Sequence, residues 1–140
     1  MRSIAKEAKR SVAAVYASGT ATVKAPATGL DTAGYENAAF IVSLATIATG
    51  ATTSFKLQES DTAVDDAGFV DITSATATTI ADDDDNQLRI VECRPTKRYV
   101  RGLLTKDATN AVGGTVLCVM FNGDDVPVTQ SSDVEVTYVP

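Results

Sequence analysis

The chain has no histidine and no tryptophan in 140 residues, and only two cysteines and two methionines. Without imidazole there is no Ser-His-Asp triad, no Cys-His pair, no histidine general base and no His-ligated zinc. Aromatic residues make up 6% of the chain, too few to build stacking platforms. Bases fall short of acids, 12 against 18, and the net charge of −6 opposes free-standing binding to nucleic acid. Long apolar runs are also missing. The longest uncharged stretch, Asn37 to Phe55, is broken by polar residues and by Thr49-Gly50, so it does not read as a membrane span and the chain is expected to be soluble. At the start, Val12 to Ala17 is too short for the apolar part of a signal peptide, and Glu7 is out of place in one.

Ala, Thr and Val supply 56 of the 140 residues. Thr and Val are β-branched and favour strands. From Phe40 onward, short apolar alternations recur at the spacing of a sandwich or barrel. Phe40, Val42 and Leu44 share one strand face, and a turn at Ala48–Ala51 leads to Phe55 and Leu57 pointing inward with Lys56 and Gln58 outward. Further strands are expected at Phe69–Ile72, Thr76–Ile80, from Leu88 to before Pro95, at Lys97–Leu104, at Thr115–Phe121 and across Val134, Val136 and Tyr138. Asn122-Gly123 reads as a turn. The expected fold is all-β, an antiparallel β-sandwich over residues 39–140, with Phe40, Val42, Leu44, Phe55, Leu57, Leu88, Ile90 and Val100 in one core. Residues 1–38 are rich in Ala, Thr, Ser and Gly, and show one strand near Thr20–Val23 but no sustained period. They read as an extended N-terminal arm, either frayed or ordered along a partner through Arg2, Lys6, Lys9 and Arg10.

Charge falls in blocks. Residues 1–56 carry +3, 57–88 carry −9, 89–106 carry +5 and 107–140 carry −5, which favours oriented association if the blocks reach different surfaces. Four aspartates, Asp82 to Asp85, suggest calcium, but consecutive carboxylates diverge and no glycine lets the loop wrap an ion. Asp61, Asp65 and Asp66 with Gly68 fare little better, and Gly113-Gly114 precedes a strand rather than the helix a phosphate loop needs. No catalytic, metal-binding or cofactor-binding residues are assigned, and an enzyme is not expected. Cys93 and Cys118 lack a CxxC spacing and read as small buried hydrophobes, a disulfide being the alternative.

The more informative pattern is apolarity on both faces of one strand. Val116, Cys118 and Met120 alternate with Leu117, Val119 and Phe121, whereas a sandwich strand normally has one polar face. Something must cover the second face: the arm, another subunit or a larger surface. Neighbouring segments show mixed outer faces too, Val91 and Cys93 on one and Tyr99, Arg101 and Leu103 on another. Arg101, flanked by Arg98 and with Arg89 expected close by on a neighbouring strand, is a candidate for pairing with acids of a partner; the alternative is an internal pair with the 82–85 aspartates.

Gly34-Tyr35-Glu36 leading into Ala39-Phe40-Ile41-Val42, then Phe55 to Asp61, Phe69-Val70-Asp71 and Lys97 to Arg101, form an ordered series over residues 34–121. The series resembles the capsid cement, or decoration, proteins of tailed bacteriophages, most closely those of short-tailed Bordetella phages. That resemblance implies a jelly-roll-like sandwich, made in the host cytoplasm and placed on the outer surface of the virion. There it would bridge neighbouring major capsid proteins. The expected partners are the major capsid protein and a second copy of the chain, a homodimer being favoured over a trimer. Neither nucleic acid nor membrane is an expected partner, and no cofactor is implied. The competing reading is a β-sandwich recognition module for glycans or a host surface on a phage fibre. Interface candidates are Arg2, Lys6, Lys9, Arg10, Arg89, Arg98, Tyr99, Arg101, Leu103 and Phe121.

Overall fold

A computed structural model describes residues 7–16, 23–47, 49–50, 53–63, 67–76, 80–81, 83–106, 114–124, 129–130 and 132. Eight strands run in chain order: β1 (Lys9–Tyr16), β2 (Val23–Asp31), β3 (Tyr35–Ser43), β4 (Thr53–Ser60), β5 (Val70–Thr76), β6 (Leu88–Cys93), β7 (Tyr99–Lys106) and β8 (Gly114–Gly123). They form two four-stranded sheets, β1-β8-β3-β6 (sheet A) and β2-β7-β4-β5 (sheet B), and among the described residues every strand pairing is antiparallel. The order is that of a jelly roll. β1 to β4 pair with β8 to β5 in reverse order, as a long folded ribbon does, and the β3–β8 and β4–β7 pairings roll that ribbon into two layers. The all-β sandwich read from the sequence is the observed fold.

The core lies between the layers. Ala38, Phe40 and Val42 of β3, Phe55 and Leu57 of β4, Val100 and Leu104 of β7, and Val116, Cys118 and Met120 of β8 are buried there. Each set alternates along its strand, as the two-residue period of a strand requires. Gly102 allows the closest packing. A methyl group there would lie 2.5 Å from Cζ of Phe55, so only glycine leaves that ring room between the sheets.

Several expectations are corrected. Leu88 and Ile90 are not core: they are 61% and 64% exposed, and Val91 and Cys93 face inward instead. Lys9–Tyr16 and Val23–Asp31 are not an arm beside the sandwich, because β1 and β2 are edge strands of its two sheets. Their pattern is weak because both strands are irregular. The β1 register shifts between Val12 and Ala14, and the β2 register shifts between Ala25 and Leu30, around Pro26 and Gly29. The turn expected at Asn122-Gly123 is the end of β8, where Asn122 takes a positive φ of 54° and Gly123 still pairs with Tyr35. Of the strand expected over Thr76–Ile80, Thr76 is the last residue of β5 and Ile80 makes an isolated bridge to Thr53, while residues 77–79 lie outside the described residues. The strand expected across Val134, Val136 and Tyr138 lies outside the described residues, as do Arg2, Lys6, Asp65, Asp66 and Asp82.

Candidate functional site

The two outer faces differ in kind, and side-chain alternation sets the difference. On sheet B, one polar network crosses all four strands. Lys56 Nζ and Gln58 Nε2 of β4 donate to the Asp71 carboxylate of β5, at 2.6 and 2.8 Å. The Gln58 Oε1 accepts from Arg101 Nε of β7 at 3.0 Å, and Arg101 Nη1 donates to the Ala27 carbonyl of β2 at 3.1 Å. Phe69 lies over Arg101, its ring centroid 4.0 Å from the guanidinium carbon, and touches the space above Gly29. Arg101 is therefore only 3% exposed although it points away from the core. The two hydrogen bonds from Lys56 and Gln58 hold the Asp71 carboxyl below its ordinary value.

The basic segment is also neutralised within the chain. Arg98 forks onto Asp31 at 3.1 and 2.8 Å, and that bond keeps the Asp31 carboxyl below its usual range. Its guanidinium stands 5.3 Å from the Tyr99 ring centroid. Lys97 reaches Asp61, and Arg94 reaches Glu36. Glu59 accepts from the Thr96 N–H and hydroxyl and from the Lys97 N–H, fixing the loop before β7. At the other end of β6, Arg89 meets Asp84 at 2.6 Å. The Ala81 N–H, and then Arg89, lower the Asp84 carboxyl, while Asp85 accepts from the Ile47 N–H. The charge blocks of the sequence thus pair with one another to a large extent.

Sheet A turns a different surface outward. Leu117, Val119 and Phe121 of β8, Ile41 of β3, Ile90 of β6 and Val12 of β1 form an apolar face across the four strands. Two shallow grooves run over it, one along Ile41, Ile90, Val119 and Phe121, the other along Val12, Ile41 and Leu117. Val15 and Leu88 extend it at one end. Arg10 borders the second groove, and Glu7 and Asn122 border the first. The free edge of β1 is partly closed: Gln130 Nε2 donates to the Ala8 carbonyl at 2.7 Å, and its Oε1 accepts from the Arg10 N–H at 2.9 Å.

The interface residues expected from the sequence are therefore divided. Arg10 and Phe121 belong to the apolar face of sheet A. Tyr99, Arg101 and Leu103 belong to sheet B, and Arg101 is committed inside the chain rather than offered to a partner. It is not paired with the 82–85 aspartates either. Arg89 is not near it, because β6 and β7 lie in different sheets. Lys9 is half-buried opposite Met120. The residues missed by sequence reasoning are Ile41, Leu88 and Ile90. The available signal was that β6 has apolar residues on both faces, so alternation could not say which face was inside.

No three His, Cys, Asp or Glu side chains converge as metal ligands among the described residues. Cys93 and Cys118 are free thiols on strands that flank β3, about 10 Å apart by strand spacing, beyond the reach of a disulfide. Burial pushes the Cys93 thiol up to about 12, helped by Glu59 and Glu92, and pushes Cys118 higher still.

No family model and no curated protein matches the chain. Among solved structures, the PBSX exported protein XepA is similar in fold, with a TM-score of 0.56 and 16% identity over 93% of this chain. This chain spans 43% of that protein's length. Looser likenesses are the CBM22-1–GH10 modules of xylanase 10B from Clostridium thermocellum in complex with xylohexaose (TM-score 0.44, 12% identity, 88% of this chain and 27% of that one) and Eiger TNF from S. frugiperda (0.33, 8%, 95% and 99%).

Proposed function

We propose that this chain is a structural virion protein that binds the outer surface of an assembled capsid and cements neighbouring major capsid proteins. The observation that carries the reading is the apolar outer face of sheet A. A face that spans four strands is larger than the scattered apolar residues normal on a monomer, and it marks an association surface. The order of motifs over residues 34–121 supports the capsid context through its resemblance to phage cement proteins. The sandwich fold shared with XepA is compatible with that role. A cement acts by mass action: a protein that binds the closed lattice and not its dissociated subunits raises lattice stability by RT ln(1 + [L]/Kd). No covalent step is needed, in keeping with a chain that has no histidine.

The test is direct. Purified protein is added to empty capsids assembled from the cognate major capsid protein, and pelleting and capsid melting temperature are read together. Saturable binding with a rise in melting temperature is expected. Absence of binding, or binding to glycan with no effect on capsids, would overturn the proposal.

A further inference from the structure

Two open sheets have four edge strands, and each edge is a row of main-chain groups with which another chain can pair. Three of the four edges are blunted. On β1, the Gln130 carboxamide occupies the Ala8 carbonyl and the Arg10 N–H. β2 carries Pro26, and its register to β7 breaks between Ala25 and Leu30. β5 breaks its register between Lys56 and Gln58 of β4, whose partners jump from Thr76 to Asp71. β6 has no such device. Its six residues pair with β3 without a shift, from Leu88 opposite Ser43 to Cys93 opposite Ala38, and among the described residues β3 is its only strand partner.

The Leu44 N–H donates to the Gln87 carbonyl at 2.9 Å, which sets the phase of the β3–β6 ladder. Counting in twos from there, Arg89, Val91 and Cys93 turn their main-chain groups toward β3. Leu88, Ile90 and Glu92 turn theirs to the open edge. By the same alternation their side chains stand on the outer face of sheet A, where all three are exposed. The edge therefore has a chemical character. Ile90 ends an apolar row of Val12, Leu117, Ile41 and Ile90 that crosses the four strands, and a further strand would continue it. Opposite Glu92 on β3 is Ala39, and among the described residues no cation pairs with the Glu92 carboxylate. A strand laid beside β6 thus needs apolar residues against Leu88 and Ile90 and a base against Glu92, at alternate positions.

We propose that the open edge of β6 takes an extended segment of the major capsid protein as a fifth strand of sheet A, with two apolar side chains and one basic side chain set beside Leu88, Ile90 and Glu92. This rests on the capsid-binding role proposed for the chain, and it names how that partner is held. Strand addition draws affinity from main-chain hydrogen bonds and selectivity from alternate side chains. It leaves the apolar face of sheet A open and widens it by about 4.8 Å, so the same capsid protein can also cover that face. A second copy of β6 is a poorer occupant. Antiparallel pairing about a two-fold at Ile90 sets Leu88 against Glu92 at both ends, and neither carboxylate gains a cation.

Amide hydrogen exchange tests this residue by residue, on the full chain free and bound to empty capsids assembled from the cognate major capsid protein. In the free protein the amides of Leu88, Ile90 and Glu92 should exchange fast, and those of Arg89, Val91 and Cys93 slowly. On capsids the first three should slow by about tenfold or more, so that protection no longer alternates along β6. Ile90→Pro removes an N–H that faces the edge, leaves the β3 ladder intact and keeps an apolar side chain. It should weaken capsid binding about tenfold at a melting temperature close to that of the wild type. Glu92→Lys should weaken binding by a similar factor. If Ile90→Pro does not fold, the exchange pattern and Glu92→Lys decide the matter. Capsid binding that leaves the three amides fast, or that a folded Ile90→Pro protein retains undiminished, overturns the inference while the proposed function stands. Protection of the three amides in the free protein as its concentration rises assigns the edge to a second copy and overturns it too. Absence of capsid binding overturns both.

Discussion

Arg101 and Phe69 form a stacked pair on the outside of sheet B, with 4.0 Å between the guanidinium carbon and the ring centroid. The ring shields the charge from water while the Gln58 Oε1 and the Ala27 carbonyl accept its hydrogen bonds. An arginine that faces outward is in this way a structural residue. Arg101→Glu should lower stability by about 2–4 kcal/mol, because Gln58 and Ala27 lose a donor and a carboxylate replaces a cation under the ring. Capsid binding per folded molecule should not change. Chemical denaturation beside a binding titration measures both, and lost binding at unchanged stability would contradict the internal role.

Gly102 should be intolerant of its smallest replacement. Its added methyl would stand 2.5 and 2.7 Å from two atoms of the fully buried Phe55 ring, so the ring would have to shift within the core. Gly102→Ala is expected to cost about 2–3 kcal/mol through overpacking. The double variant with Phe55→Leu should recover part of that loss in thermal melts.

Acid should weaken the fold over a defined range. Asp31, Asp71 and Asp84 all have carboxyls held below their ordinary value by hydrogen bonds from Arg98, from Lys56 and Gln58, and from the Ala81 N–H with Arg89. A carboxylate whose folded pKa is depressed contributes stability above its unfolded pKa of about 3.9 and loses it as pH falls through the folded value. Melting temperature should therefore be level between pH 8 and about 5 and decline below about 4. Asp31→Asn should start lower and decline less steeply.

Both thiols should be silent in the native state. Thiolate is the reactive form, and burial holds Cys93 at about 12 and Cys118 higher. Alkylation at pH 8 should be negligible over the time in which the denatured chain reacts at both positions. Rapid native labelling of Cys93 would show that the β6 edge opens.

Deletion of residues 1–19 should unfold the sandwich rather than merely loosen its grip on a partner. It removes β1, the pairing partner of β8 from Thr115 to Met120. A truncated protein with an unchanged melting temperature would contradict the placement of β1 within sheet A.

What was legible in the sequence follows from where side chains are distinctive. β4 alternates Phe55 and Leu57 with Lys56 and Gln58, so its inner face was readable without the structure. The double apolarity of β8 also announced that its outer face would be unusual. β6 misled because Leu88 and Ile90 are larger hydrophobes than Val91 and Cys93, and size suggested the wrong face. Arg89, on the inward side, is accommodated at the end of the sheet by Asp84, a contact alternation does not encode. β1 and β2 were obscured by bulges, which shift the period halfway along each strand. The commitment of Arg101 was illegible because it depends on Phe69, 32 positions away along the chain.

The strand order also governs how this protein comes into being. No two sheet A neighbours are consecutive in the chain, and in sheet B only β4 and β5 are. β1 has no strand partner until β8 exists, so a ribosome adding about 5–20 residues per second must pass Gly123 before sheet A can be completed. Until then β1 waits unpaired and β3 has only β6 beside it. Closure through such distant pairings belongs to the slow range of folding, roughly milliseconds to seconds. Refolding should accordingly be a late, concerted event, most vulnerable to aggregation in the interval before the last strand arrives.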